Sequence, residues 1–169
     1  ILTNNSRRRF MKLTGSTLAA SSVGFNILAN TQPNHQFNAD TLKVGLIGCG
    51  GRGTGAAVQA LNADANVALT AMADVYPENM KVAYDGLLNE DIADKVKVPE
   101  NRKFIGFDAY KKVLETDVDV VILGTPPNFR PAHLEACITA GKHVFFEKPV
   151  AVDAPGIRRV METAKAAKA

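Results

Sequence analysis

The sequence predicts an α/β fold, a doubly wound parallel sheet with helices on both faces. Three observations carry this prediction. Short, strongly apolar runs of strand length recur between Leu42 and Val150. Helix-compatible stretches separate them. A glycine-rich segment, "GLIGCGGRGTG" from Gly45 to Gly55, directly follows the first run. Strands buried on both faces read as continuous apolar runs rather than alternating ones, and their regular exchange with helices implies parallel pairing with right-handed crossovers.

The elements follow in order. "LKVGLIG" (Leu42–Gly48) reads as the first strand and Gly51–Asn62 as a helix. "NVALTAMAD" (Asn66–Asp74) is the second strand. "PENMKVAYDGLLNE" opens a helix with Pro77 and Glu78, both suited to a first turn. Residues 91–101 are expected to be irregular. "RKFIGF" is a short strand, and "DAYKKVLET" a helix with Asp108 predicted as its N-cap. "VDVVILGT" (Val118–Thr125) is a β-branched strand. "RPAHLEACITAG" is a helix closed by Gly141. "KHVFFEK" is the fifth strand, and "DAPGIRRVMETAKAAKA" a helix capped by Asp153.

The 169-residue chain is 46% hydrophobic and 22% charged, an ordinary globular balance. Its formal net charge of +3 misleads. Arg7, Arg8, Arg9 and Lys12 all precede residue 40, where there are no acids. The rest is near neutral, which gives no basic field for nucleic acid. Cys49 and Cys137 fit neither a zinc site nor a disulfide framework and read as small buried residues.

Residues 1–39 read as an address and linker, and 40–169 as the folded domain. Ser6-Arg7-Arg8-Arg9-Phe10-Met11-Lys12 resembles the twin-arginine export motif, with Met for Leu. The Ala/Ser/Gly-rich run after it is too polar for a confident membrane span. Passage through the twin-arginine translocation machinery would put the folded protein in the periplasm or elsewhere outside the cytoplasm, carrying a cofactor acquired inside. The start at Ile1 and the finish in "METAKAAKA", without a C-cap glycine, lead us to expect a piece of a longer chain.

Gly48-Cys49-Gly50-Gly51-Arg52-Gly53 fits G-x-G-x-x-G between a strand and a helix. The glycines have separate tasks in a dinucleotide-binding Rossmann domain. Gly48 makes the tight turn, Gly50 lets a diphosphate approach the main chain, and Gly53 lets the helix pack on the sheet. Free N–H groups of Gly51, Arg52 and their neighbours, with the helix dipole, then hold phosphate. Asp74 lies about 20 residues beyond the loop, at the end of the second strand, where a carboxylate accepts ribose hydroxyls and repels a 2′-phosphate. The expected cofactor is therefore NAD rather than NADP. FAD uses the same loop. The alternative role of Asp74 is to cap a loop.

A second constellation is "VVILGTPPNFRPAHLEACITAGKHVFFEKPV" (Val120–Val150). Thr125 and Pro126 end the fourth strand, and Glu147, Lys148 and Pro149 follow the fifth. Both lie where doubly wound sheets bind ligands. Lys148 could bond a substrate hydroxyl and shift its proton during hydride transfer. A Glu-Lys pair is otherwise commonly a solvated pair.

Through "GLIGCGGRG", Asp74, "GTPP" and above all "AGKHVFFEKP", residues 42–169 resemble the glucose–fructose oxidoreductase, inositol dehydrogenase and rhizopine-catabolism family (Gfo/Idh/MocA). The resemblance implies a Rossmann domain binding NAD or NADP. A larger α/β domain would then shape a sugar or cyclitol site and often mediate homo-oligomers. It weighs against FAD. It also implies a catalytic, substrate-binding Lys148, a Glu147 that supports the nicotinamide end, and a cis Lys148–Pro149 bond. Many members read T-P-N-x-x-H after the fourth strand. Here Pro127 replaces the Asn and Arg130 the His, which puts that loop's cofactor contacts in question. His133 is expected to be a packed or surface histidine. Two enzyme activities fit this half: an oxidoreductase acting on a sugar-like CH–OH group, and an NAD-dependent glycosidase that oxidises, eliminates, hydrates and reduces. A non-catalytic nucleotide-binding fragment is the third possibility.

Overall fold

The computed structural model describes residues 41–167. Ser6–Lys12, expected to be an export motif, and the expected linker lie outside the described residues. Five strands form one parallel sheet: β1 (Leu42–Ile47), β2 (Val67–Asp74), β3 (Lys103–Ile105), β4 (Val120–Leu123) and β5 (His143–Phe146). Their order is β3-β2-β1-β4-β5, so the winding reverses between β1 and β4. The helices are α1 (Gly51–Ala63), α2 (Pro77–Leu88), α3 (Ala109–Leu114), α4 (Arg130–Thr139) and α5 (Ala154–Ala166). This is the predicted Rossmann-like architecture.

Each face of the sheet has its own core. On one, Leu46, Leu69 and Met72 pack against Leu61 of α1 and Leu87 of α2. On the other, Val121 and Leu123 pack against Val113 of α3 and Leu134 and Cys137 of α4. Alternate residues of central strands face opposite layers, so both layers demand apolar side chains. Cys49 and Cys137 are buried and free, as expected. Burial pushes both thiols up to about 12, far from reactive thiolates.

The strands are shorter than the apolar runs suggested. β3 covers Lys103–Ile105 and β4 Val120–Leu123, because ladder pairing stops before the turn residues that flank them. The irregular segment holds two short 3₁₀ turns, Ala93–Lys95 and Glu100–Arg102. Asp153 caps α5 by accepting the Gly156 N–H at 2.7 Å. Asp108 occupies the N-cap of α3 but makes no side-chain cap. Its carboxylate pairs with Lys111 at 2.7 Å instead, a correction to the predicted cap. Gly141, with φ of 69°, ends the α4 turn as expected.

Candidate functional site

The site lies at the carboxyl end of the sheet where the winding reverses, the place at which open α/β sheets bind ligands. Gly48 leaves β1 with φ of 92°, a conformation that side chains resist. Three glycines meet here. A Cβ on Gly53 would sit 2.0 Å from the Gly48 carbonyl oxygen. One on Gly124, after β4, would sit 2.6 Å from that same oxygen and 2.6 Å from the Gly53 Cα. α1 therefore starts with its backbone pressed on two strand ends.

Gly50 and Gly51 differ. A Cβ on either meets nothing within 4 Å. The protein's own packing does not require these two to be bare. Gly50 is the N-cap of α1, in extended backbone with φ of −68° and no side-chain cap. Helix geometry leaves the first-turn N–H groups without an i−4 carbonyl. This is a concave, donor-rich corner that a diphosphate fits.

Asp74 ends β2 beside it. Its Oδ2 accepts the Cys49 N–H at 2.7 Å and its Oδ1 the Tyr76 N–H at 2.9 Å. The loop-capping role is therefore realised. It caps the glycine loop and still has acceptor capacity, because two carboxylate oxygens offer about four lone-pair sites.

A cleft of about 660 Å³ runs from Gly48 and Asp74 along the ends of β3 and β4. Its walls include Tyr110, Phe129, His133 and Thr125. Phe107 and Phe129, 6.3 Å apart between ring centroids, stand 70% and 36% exposed at its rim. Aromatic walls beside a phosphate corner suit a flat heterocycle. Thr125 is buried, and its Oγ1 has no hydrogen-bond partner among the described residues.

His133 is packed, as expected, and also lines this cleft. Its ring lies 4.2 Å from that of Tyr110 and stacks on Phe129 at 5.9 Å. Burial pulls its pKa down to about 4. The unfolded chain, with an ordinary histidine near 6.5, binds more protons as pH falls. The stability that neutral His133 contributes is therefore whole above about pH 6.5 and is lost towards pH 4. Unfolding free energies from denaturant titration at pH 7 and pH 5 should differ by about 2 kcal/mol through this group, and His133→Phe should flatten that difference.

The fifth strand delivers the second constellation. The Lys148–Pro149 bond is cis, as the resemblance implied. Glu147 is buried, and its partner is Arg52 of α1: Nη2 to Oε1 is 2.6 Å. That pairing holds the Glu147 carboxyl below the usual glutamate range. Glu147 is thus not the solvated partner that a Glu-Lys pair commonly is. Lys148 itself is exposed at the sheet's carboxyl end.

Sequence reasoning missed Arg130 as a structural part. It is 6% exposed, in the first turn of α4. Its Nη1 donates to the Glu147 carbonyl at 2.6 Å and to the Pro149 carbonyl. Burial lowers its pKa from the ordinary value, and the Glu147 carboxylate opposes that shift. A signal was available: Arg130 lines up at helical spacing with buried Leu134 and Cys137. The replacement of a family histidine thus bears on the Lys148 turn.

Residues 42–169 match the family described as "Oxidoreductase family, NAD-binding Rossmann fold", GFO_IDH_MocA. The chain belongs to this family. Over 126 residues it is 29% identical to an inositol 2-dehydrogenase of Acidothermus cellulolyticus, covering 75% of this chain and 33% of that protein. A glycosyl hydrolase family 109 protein of Shewanella baltica is 26% identical over 178 residues, covering 96% of this chain and 37% of that one. The structure of scyllo-inositol dehydrogenase from Lactobacillus casei, with NAD(H) and scyllo-inositol bound, superposes with a TM-score of 0.59 at 28% identity. That match covers 76% of this chain and 34% of the enzyme. This family chain thus spans roughly a quarter to a little over a third of the length of such relatives.

Proposed function

We propose that this chain is the cofactor half of an NAD-dependent oxidoreductase that acts on a secondary alcohol of a sugar or cyclitol. The observation that carries it is the contrast among the glycines. Gly48 and Gly53 are bare because main chain touches them, whereas Gly50 and Gly51 face space that a ligand can enter. The first-turn N–H groups of α1 would hold the diphosphate, and the cleft between Asp74 and His133 would take the adenosine. A nicotinamide bound at the ends of β4 and β5 supplies hydride transfer.

The chain's own residues do the rest. Asp74 accepts ribose hydroxyls and repels a 2′-phosphate. Thr125 and Pro126 shape the wall beside β4. Lys148, exposed and next to the buried Glu147, bonds the substrate hydroxyl and holds or accepts its proton. Substrate contacts beyond this lysine would come from the rest of the longer protein.

Calorimetric titration of the full-length protein with NAD and NADP tests the cofactor assignment. Asp74→Ala would remove both caps, on the Cys49 and Tyr76 N–H groups, whereas Asp74→Asn removes the charge and keeps one of them, because an amide has a single acceptor oxygen. Asp74→Asn should narrow the preference for NAD over NADP by about tenfold, the effect of one lost like-charge repulsion. An unchanged ratio would remove Asp74 from cofactor selection.

The relation to glycosyl hydrolase family 109 proteins favours a second reading, the NAD-dependent glycosidase. Nitrophenol release from nitrophenyl glycosides without net NADH would support it, and net NADH from free sugars would support the dehydrogenase. Export through the twin-arginine machinery is proposed on Ser6–Lys12, and the Shewanella baltica likeness covers 96% of the chain, which takes it into that segment. Periplasmic fractionation of a tagged full-length protein, with Arg7→Lys/Arg8→Lys as control, reads it.

A further inference from the structure

We infer that the Arg52 side chain is a positioning group: it acts on the nicotinamide end of the site through Glu147, and its guanidinium is not a direct ligand of the diphosphate. The inference rests on the nucleotide assignment above. Arg52 belongs to the glycine loop by sequence, where an arginine is naturally read as a phosphate contact. Its guanidinium instead reaches across to β5 and holds Glu147 Oε1 at 2.6 Å. The Arg52 side chain is 66% exposed, whereas that of Glu147 is 6% exposed. An exposed ion pair contributes little on its own, but removing the partner of a buried carboxylate leaves a desolvated charge unpaired. Glu147 must then turn outward or take up a proton, and the side-chain link between α1 and the segment after β5 is lost.

The main chain of that turn is held separately. Arg130 of α4 donates to the carbonyls of Glu147 and Pro149, on either side of Lys148. Two arginines from the first turns of two helices therefore fix one three-residue turn. Arg130 holds its carbonyls, and Arg52 its carboxylate. The arrangement ties the phosphate corner over β1 to the segment after β5. In a doubly wound sheet these serve opposite halves of a dinucleotide.

ADP and NAD separate the two roles, since ADP occupies the first half only. The probes are ADP and NAD, titrated calorimetrically into full-length wild type, Arg52→Gln, Glu147→Gln and the double variant. We expect Arg52→Gln to leave ADP affinity within about twofold and to weaken NAD by about tenfold, an ordinary coupling for groups in one network. Glu147→Gln should reproduce this pattern, and the double variant should be no worse than the poorer single one. A parallel loss of ADP and NAD in Arg52→Gln would make Arg52 a phosphate ligand and overturn the inference. Additive losses in the double variant would overturn it too. Failure of wild type to bind either nucleotide would overturn the nucleotide assignment itself, a different result. Arg130→Met, which removes the Nη1 that donates to both carbonyls, should also weaken NAD and spare ADP. Should that variant not fold, the Arg52 and Glu147 variants decide the matter alone.

Discussion

Gly53→Ala is expected to unfold or severely loosen the domain, while Gly50→Ala, three residues away, leaves the fold intact and removes nucleotide binding. At Gly53 a methyl group would lie 2.0 Å from the Gly48 carbonyl oxygen, well inside contact distance, and the atom it meets is main chain. The loop cannot yield locally, because Gly48 bonds the Ala73 carbonyl at 2.8 Å and Gly124 bonds that of Ile47 at 2.8 Å. The first turn of α1 must therefore lift off the sheet. Overpacking against fixed backbone costs about 3 kcal/mol or more. Thermal melting should fall by roughly 10 °C or show no cooperative transition. At Gly50 the same methyl meets nothing within 4 Å, and the backbone is in an ordinary extended conformation. Alanine caps a helix less well than glycine, by up to about 1 kcal/mol, but it also stiffens the unfolded chain by about 0.4–1 kcal/mol, so the two effects nearly offset. Gly50→Ala should thus melt like wild type and lose ADP and NAD affinity together, by roughly 100-fold, as the methyl occupies the phosphate corner. A Gly50→Ala protein that binds ADP normally would show that the corner holds no diphosphate.

These two glycines also show where sequence reasoning succeeds. The motif spacing assigned them different tasks, and the coordinates agree on Gly48 and Gly53, because a strand–turn–helix corner is a local object. The fold was legible for the same reason. Apolar runs of strand length alternate with helical stretches, and parallel order follows from right-handed helical crossovers. Legibility fades where a contact is long in sequence and polar. Nothing in "GGRG" announces that Arg52 reaches Glu147, and nothing in "NFRPAH" says that Arg130 spans two carbonyls of a turn after the next strand. Both are arginines whose ordinary reading is an exposed charge or a phosphate contact. Only Arg130's place on the apolar face of α4 hinted at burial. Asp108 failed in the opposite way. Its position suited an N-cap, but Lys111 on the next turn takes its carboxylate at 2.7 Å. Nor does the sequence show that both oxygens of Asp74 accept backbone N–H groups, from Cys49 and Tyr76.

Lys148→Ala is expected to lower turnover by about 100- to 10,000-fold, the usual range for losing a general acid or base, with NAD affinity nearly unchanged. The separation follows from what holds the turn. Arg130 bonds the carbonyls of Glu147 and Pro149, and Arg52 bonds the Glu147 carboxylate; neither grips the Lys148 side chain. Lys148 is exposed, so its truncation removes no core contacts and the melting temperature should stay within about 2 °C. The diphosphate corner is formed by the main chain of another segment and is untouched. The loss should therefore appear in kcat, as expected for a group that acts on the reacting proton. Steady-state NADH formation by the full-length protein across a panel of cyclitols and sugars, with calorimetric NAD titration alongside, reads both quantities. Wild-type turnover in Lys148→Ala would place the proton transfer on another residue. A collapse of NAD affinity with turnover would instead make Lys148 a cofactor contact first. In that case the two-arginine clamp would serve binding rather than chemistry, since the turn it holds would be needed before any substrate arrives.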